Sequence, residues 1–102
     1  ARCEIGHIYV RLNDGDNALK WFNEAIERHE NYAEALGGAA LAYTLKKDFQ
    51  KGEEYLRMAS INQIDDLHGF MRYFKEIQGV VMFESHTGGS TAAETKSGST
   101  QN

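Results

Sequence analysis

The chain has 102 residues, of which 41% are hydrophobic and 25% charged, with a net charge of −4. That is enough for one small soluble domain, and the acidic balance argues against a nucleic-acid partner, which needs a basic face. A single cysteine excludes an internal disulfide framework, and no apolar run approaches the roughly 20 residues that cross a bilayer. Nothing at Ala1 reads as a signal peptide, which in a fragment says little about the compartment, and the cytoplasm is taken only as a default. Proline is absent and helix formers are common, which favours an all-α fold.

Ile5, Ile8, Tyr9 and Leu12 recur at helical spacing and predict a first helix. Asn13-Asp14-Gly15-Asp16 breaks it, with Asp14 placed as N-cap of a second. The second helix turns Ala18, Leu19, Phe22, Ala25 and Ile26 inward and Lys20, Asn23, Glu24 and Glu27 to water. Asn31 starts a third helix, with Glu34 three residues on as in a capping box. That helix carries Leu36, Ala39, Ala40 and Tyr43 and turns at Lys46-Lys47-Asp48. The fourth holds Phe49, Gly52, Leu56 and Ala59 inward.

The third and fourth helices repeat the first two at a shift of 34 residues. Gly6 falls on Ala40, Tyr9 on Tyr43, Asp14 on Asp48, Ala18 on Gly52, Phe22 on Leu56, Ala25 on Ala59 and Asn31 on Asp65. Small residues meet small, large apolar or aromatic residues meet their like, and caps meet caps. The small positions allow close backbone approach, with Tyr9, Phe22, Tyr43 and Leu56 as the knobs between them. A plain helical bundle with alanine-rich seams is the competing architecture.

Asp65 and Asp66 can cap a further helix, with Leu67, Phe70, Met71, Phe74, Ile77 and Val81 along one stripe. Phe74 stands where Gly6 and Ala40 stood, so the period stops here. Residues 66–84 therefore read as a helix capping the end of the second repeat, with the first helix of a degenerate third repeat as the alternative. From Thr87 on the chain is largely Gly, Ser, Thr and Ala, and residues 85–102 read as a disordered tail.

At Gly6, Tyr9, Ala18, Phe22 and Ala25, and again at Ala40, Tyr43, Gly52, Leu56 and Ala59, the sequence resembles the tetratricopeptide repeat family. Glu30-Asn31-Tyr32-Ala33-Glu34-Ala35 resembles that family's inter-repeat turn. Glu30 and Ile64 stand in the usual proline slot, and Arg2 and Leu36 replace the early tryptophan. The resemblance implies a right-handed α-α superhelix of antiparallel helix pairs. One repeat would span residues 1–31 and a second residues 32–65. Ala1 falls inside the first helix, which reads as a piece cut from a longer array.

The resemblance also implies function. First helices of successive repeats line a concave groove that holds a partner's peptide or helix. Here that face would be Cys3, His7, Val10 and Arg11, then Glu34, Gly37, Leu41 and Thr44, with His68, Met71, Arg72 and Lys75 from the third segment. Val10, Leu41 and Met71 would form an apolar strip for helix-in-groove recognition. The slots that clamp a chaperone's C-terminal carboxylate hold Cys3, His7, Glu34 and Gly38, so that clamp is not expected.

No chemistry competes strongly with this. Cys3 and His7 share one helix face at metal-ligand spacing, but no third ligand clusters with them, so no metal, cofactor or catalytic residue is assigned. Glu53-Glu54 and Asp65-Asp66 sit on solvated turns or caps rather than in a sheltered acid–base couple. Gly37-Gly38 inside a helix costs about 2 kcal/mol against alanine. Either neighbouring helices pack closely there, or Gly37 lets a partner's backbone come near. The expected function is a non-enzymatic protein-interaction module; the alternative is a structural segment that stacks or forms a homo-oligomer with an empty groove.

Overall fold

The computed structural model describes residues 1–87. Five α-helices follow one another: α1 (Arg2–Arg11), α2 (Gly15–Glu27), α3 (Tyr32–Leu45), α4 (Phe49–Ile61) and α5 (Leu67–Thr87). No strand occurs among the described residues, so the all-α expectation is borne out. The tail expected from residue 85 lies, from residue 88 on, outside the described residues. Helix α5 runs to Thr87, past the bound of 84 read from the sequence.

The 34-residue period is written into the backbone at the helix ends. Asp14 accepts a hydrogen bond from the Asn17 amide at 3.1 Å, and its counterpart Asp48 accepts from the Lys51 amide at 3.3 Å. Each satisfies an N–H that the first helical turn cannot. Asp66 does the same for α5, accepting from the Gly69 amide at 3.2 Å. The opposite ends close through left-handed residues at Asn13 and Lys47, and at His29 and Gln63. In each case the next amide reaches back five residues, as from Asp14 to the Tyr9 carbonyl at 2.8 Å and from Asp48 to that of Tyr43 at 2.9 Å. This is the Schellman closure, and each pair of left-handed residues lies one period apart.

Asn31 departs from the expected capping box. It precedes α3 with φ of 46°, and its side chain makes no capping bond. The α2–α3 connection carries left-handed residues at both His29 and Asn31. Glu34 reaches His7 instead, at 3.3 Å.

Helix pairs meet through small residues. The Phe22 ring is fully buried between α1 and α3: a Cβ on Gly6 would lie 2.7 Å from its Cζ, and one on Gly38 only 2.1 Å from its Cε1. In the second repeat a Cβ on Gly52 would lie 2.6 Å from Thr44 Oγ1, which donates to the Ala40 carbonyl at 2.9 Å. Ala18, Ala25, Ala40 and Ala59 are wholly buried at the other seams. Burying Phe22 alone stabilises by about 2–3 kcal/mol. Polar ties add registration: Arg2 pairs with Glu24 at 3.4 Å and Glu30 at 3.1 Å, and Lys46 pairs with Asp16.

Helix α3 is buried on every side, from Ala35 through Ala42. A helix apolar all round belongs at the centre of a fold. Helices α2, α4 and α5 surround it. Gly37 and Gly38 serve this packing: Gly38 receives Phe22, and a Cβ on Gly37 would lie 2.8 Å from Ile64 Cδ1 and 3.0 Å from Phe70 Cζ. Of the two explanations for the glycine pair, close approach of the chain's own helices is the one observed.

These contacts set two glycines against each other. Gly38→Ala should destabilise by about 1–3 kcal/mol, because overpacking against an immobile ring outweighs the gain in helix propensity. Gly79 has nothing within 4 Å of its added Cβ, so Gly79→Ala should stabilise by about 0.5–1 kcal/mol. Urea unfolding of both variants checks this, and a stabilised Gly38→Ala would show that the Phe22 ring has room to move.

Candidate functional site

The stripe read on α5 is largely the face that packs. Phe74 is fully buried and Val81 is 6% exposed, with Phe70 and Ile77 against the same core, while Met71 stays 36% exposed at the edge. Phe70 lies against Gly37 near the start of α3. Ile77 and Val81 border one hollow with Leu45 and Val10 near the ends of α3 and α1. Helix α5 therefore runs alongside α3 in the same sense, over the side where the first helices of the repeats lie. Toward α4 it makes polar contacts, Gln78 donating to Glu53 at 2.7 Å with Lys75 Nζ 3.8 Å from the same oxygen.

That placement changes the surface expected from the sequence. Val10 and Leu41 are 5% and 0% exposed, so the anticipated open strip of Val10, Leu41 and Met71 does not exist. Cys3 belongs to the core cluster, Gly37 lies under Ile64 and Phe70, and Thr44 is turned to Gly52 of α4. Of the remaining positions, His7 is half-buried, and Arg11, Glu34, Met71, Arg72 and Lys75 are exposed. The physical reason is the bulk on α5. Phe70, Phe74 and Ile77 seek a floor of small residues, and α3 offers one in Gly37 and its neighbours.

Two of the expected residues come together in a hollow of about 400 Å³ at the start of α3 and α5. His7, Tyr32, Glu34, Ile64, Asp65 and Phe70 line it. His7 also meets the Phe22 ring edge-on, with centroids 5.0 Å apart, so its imidazole is fixed from both sides. The sequence reading missed Ile64, Asp65 and Phe70 as neighbours of His7. The unbroken small and apolar run from Ala35 to Ala42 is the signal that could have indicated a third covering helix, though not its direction.

The Cys3–His7 pair has no metal-like character. Burial, helped by the Glu34 and Glu30 carboxylates, pushes the Cys3 thiol up to about 11, against the thiolate a metal needs. Among the described residues no three His, Cys, Asp or Glu side chains gather as a ligand set. No described helix is long and apolar enough to cross a membrane.

Residues 1–32 match the family model for the tetratricopeptide repeat. That stretch is thus similar to a tetratricopeptide repeat, and the five-helix arrangement is consistent with helical repeats of that kind. No curated protein and no solved structure matches the chain. Repeats of this family are typically non-enzymatic, and the match supports a general role as a protein–protein interaction module.

The thiol supplies a test of the core. A pKa raised on folding means stability is fully present below the unfolded value near 9 and is lost as pH rises through about 11. Wild-type chain should therefore lose stability between pH 9 and 11 more steeply than Cys3→Ala. Chemical denaturation across that range measures the difference; parallel curves would place the thiol in water.

Proposed function

We propose that this chain is an interaction module that captures a segment of a partner protein on its concave side, at the hollow where His7, Glu34 and Phe70 meet. The observation that carries this is the lining itself. Two positions expected from the family's groove, His7 and Glu34, border one open hollow with the apolar side chains of Ile64 and Phe70. Glu34 and Asp65 give that hollow an acidic rim, and Phe70 gives it an apolar floor. Such a lining suits a short segment with an apolar anchor next to a basic residue. Arg11, Met71, Arg72 and Lys75 are exposed nearby on α1 and α5 and extend the surface a longer segment would cross.

A second reading, a structural segment that stacks or self-associates, is supported by the outer side of α1. Ile8 is 46% and Leu12 67% exposed, whereas Ala42, the counterpart of Ile8 one period on, is wholly buried beside α2. Sedimentation over a concentration series separates the two readings. A monomer throughout removes the second.

For the first reading, peptides are selected from a random library on the wild-type chain and their affinities measured on Glu34→Lys. The surface pair with His7 contributes little to folding, so the variant should melt within about 0.5 kcal/mol of wild type. Its affinity for the selected peptides should fall about tenfold or more, the range of a lost charge-assisted contact. Equal affinity would rule the hollow out.

A further inference from the structure

We infer that the outer side of α5 is a contact surface for a second copy of this chain, the two helices crossing antiparallel at Gly79. The inference is independent of the hollow at His7, and the surface differs from the exposed side of α1.

Gly79 gives the first indication. Each of the other described glycines would bring an added Cβ within 3.0 Å of the chain's own atoms, so each is matched by a neighbour. Gly79 meets nothing within 4 Å, yet it stands inside a 21-residue helix, where only proline is a poorer choice. At Gly6 and Gly38 this chain uses helical glycines to bring its own helices together around Phe22. At Gly79 the helix that would come close is not its own.

Six exposed residues border a shallow hollow of about 630 Å³ at this point: Lys75, Glu76, Gly79, Val80, Phe83 and Glu84. They form two rows at i, i+4 spacing, Lys75–Gly79–Phe83 and Glu76–Val80–Glu84. Rows of that kind interdigitate when two helices cross at about 50°. Val80 is 56% exposed, a large apolar side chain on the row beside the glycine.

Symmetry and charge identify the occupant. A two-fold axis between Gly79 and Val80 sets Gly79 against the partner's Val80, Glu76 against the partner's Phe83, and Lys75 against the partner's Glu84. The six residues are thereby paired entirely among themselves: small against branched, methylenes against ring, cation against carboxylate. A parallel pair would instead oppose Lys75 to Lys75 and Glu84 to Glu84. Within its own chain Lys75 Nζ lies 3.8 Å from Glu53, an exposed pair weak in water that leaves the ammonium able to turn outward. Residues 88–102 carry no large apolar side chain to lay over Val80. One helix crossing stands at the small end of specific interfaces, below about 1,200 Å² buried, so the dimer is a weak one.

Sedimentation equilibrium of the full chain from about 10 µM to 1 mM, the range of weak association, tests this. Wild type should pass from monomer to dimer across that range. Gly79→Gln should weaken the dimer about tenfold or more, by adding bulk at the crossing. In dilute solution the same variant should melt at or above the wild-type temperature, since its new side chain meets nothing in its own chain. Lys75→Glu and Glu84→Lys should each weaken the dimer about tenfold, two pairs having turned repulsive. Mixed in equal amounts, these two variants should associate about as well as wild type, because each supplies the charge the other lacks. A wild type still monomeric at about 1 mM overturns the inference. So does a dimer indifferent to Gly79→Gln, or a mixture that does not recover. If association persists in Gly79→Gln and is lost in Leu12→Lys, the contact runs through α1, and the inference falls while the stacking reading stands. Capture of peptides at the hollow is reported separately by Glu34→Lys.

Discussion

The ring of Phe22 between Gly6 and Gly38 is the contact on which the architecture depends. It joins three helices at one point, and the two glycines let α1 and α3 close on a side chain that neither could accept beside a β-carbon. Its counterpart one period later, Leu56, is smaller and 7% exposed, and there the close approach passes instead to Gly52 against Thr44. The two repeats therefore share a plan while placing their tightest contact differently. With α3 drawn in on both sides, its remaining side becomes the floor for α5.

Much of this was legible in the sequence because it is local or periodic. Asp14 and Asp48 are caps by residue type and position, and the helices they begin are amphipathic at the right spacing. The small positions Gly6, Ala18, Ala25, Ala40, Gly52 and Ala59 are all buried, since a repeat must meet its neighbour through the same seam each time. The Asn31 cap was misread because residue type favours capping, whereas the backbone there obeys the closure between α2 and α3. The surface was less legible still. A stripe on α5 states that one face will be buried, not whether α4 or α3 will bury it. That choice follows from side-chain volume on α3; Val10 and Leu41, expected at the surface, lie in the core.

The site is thereby divided. Where α3 and α5 begin, the connections hold the helices far enough apart to leave His7, Glu34 and Phe70 around a hollow. Farther along, Phe74 of α5 joins the core cluster that also holds Leu41 and Val10. The hollow presents the carboxylates of Glu34 and Asp65 and the imidazole of His7, whereas the buried stretch is set by side-chain volume.

The composition of α3 bears on how such a chain can diverge. Between Ala35 and Ala42 it carries two leucines among alanines and glycines, all enclosed. Almost any substitution there adds atoms where none fit, and removing atoms is scarcely an option. Descendants of this sequence are thus constrained to keep α3 nearly unaltered while the outer sides of α1 and α5 drift. Kinship among them will be most durable in the plainest stretch of the chain, the one with the fewest distinctive letters.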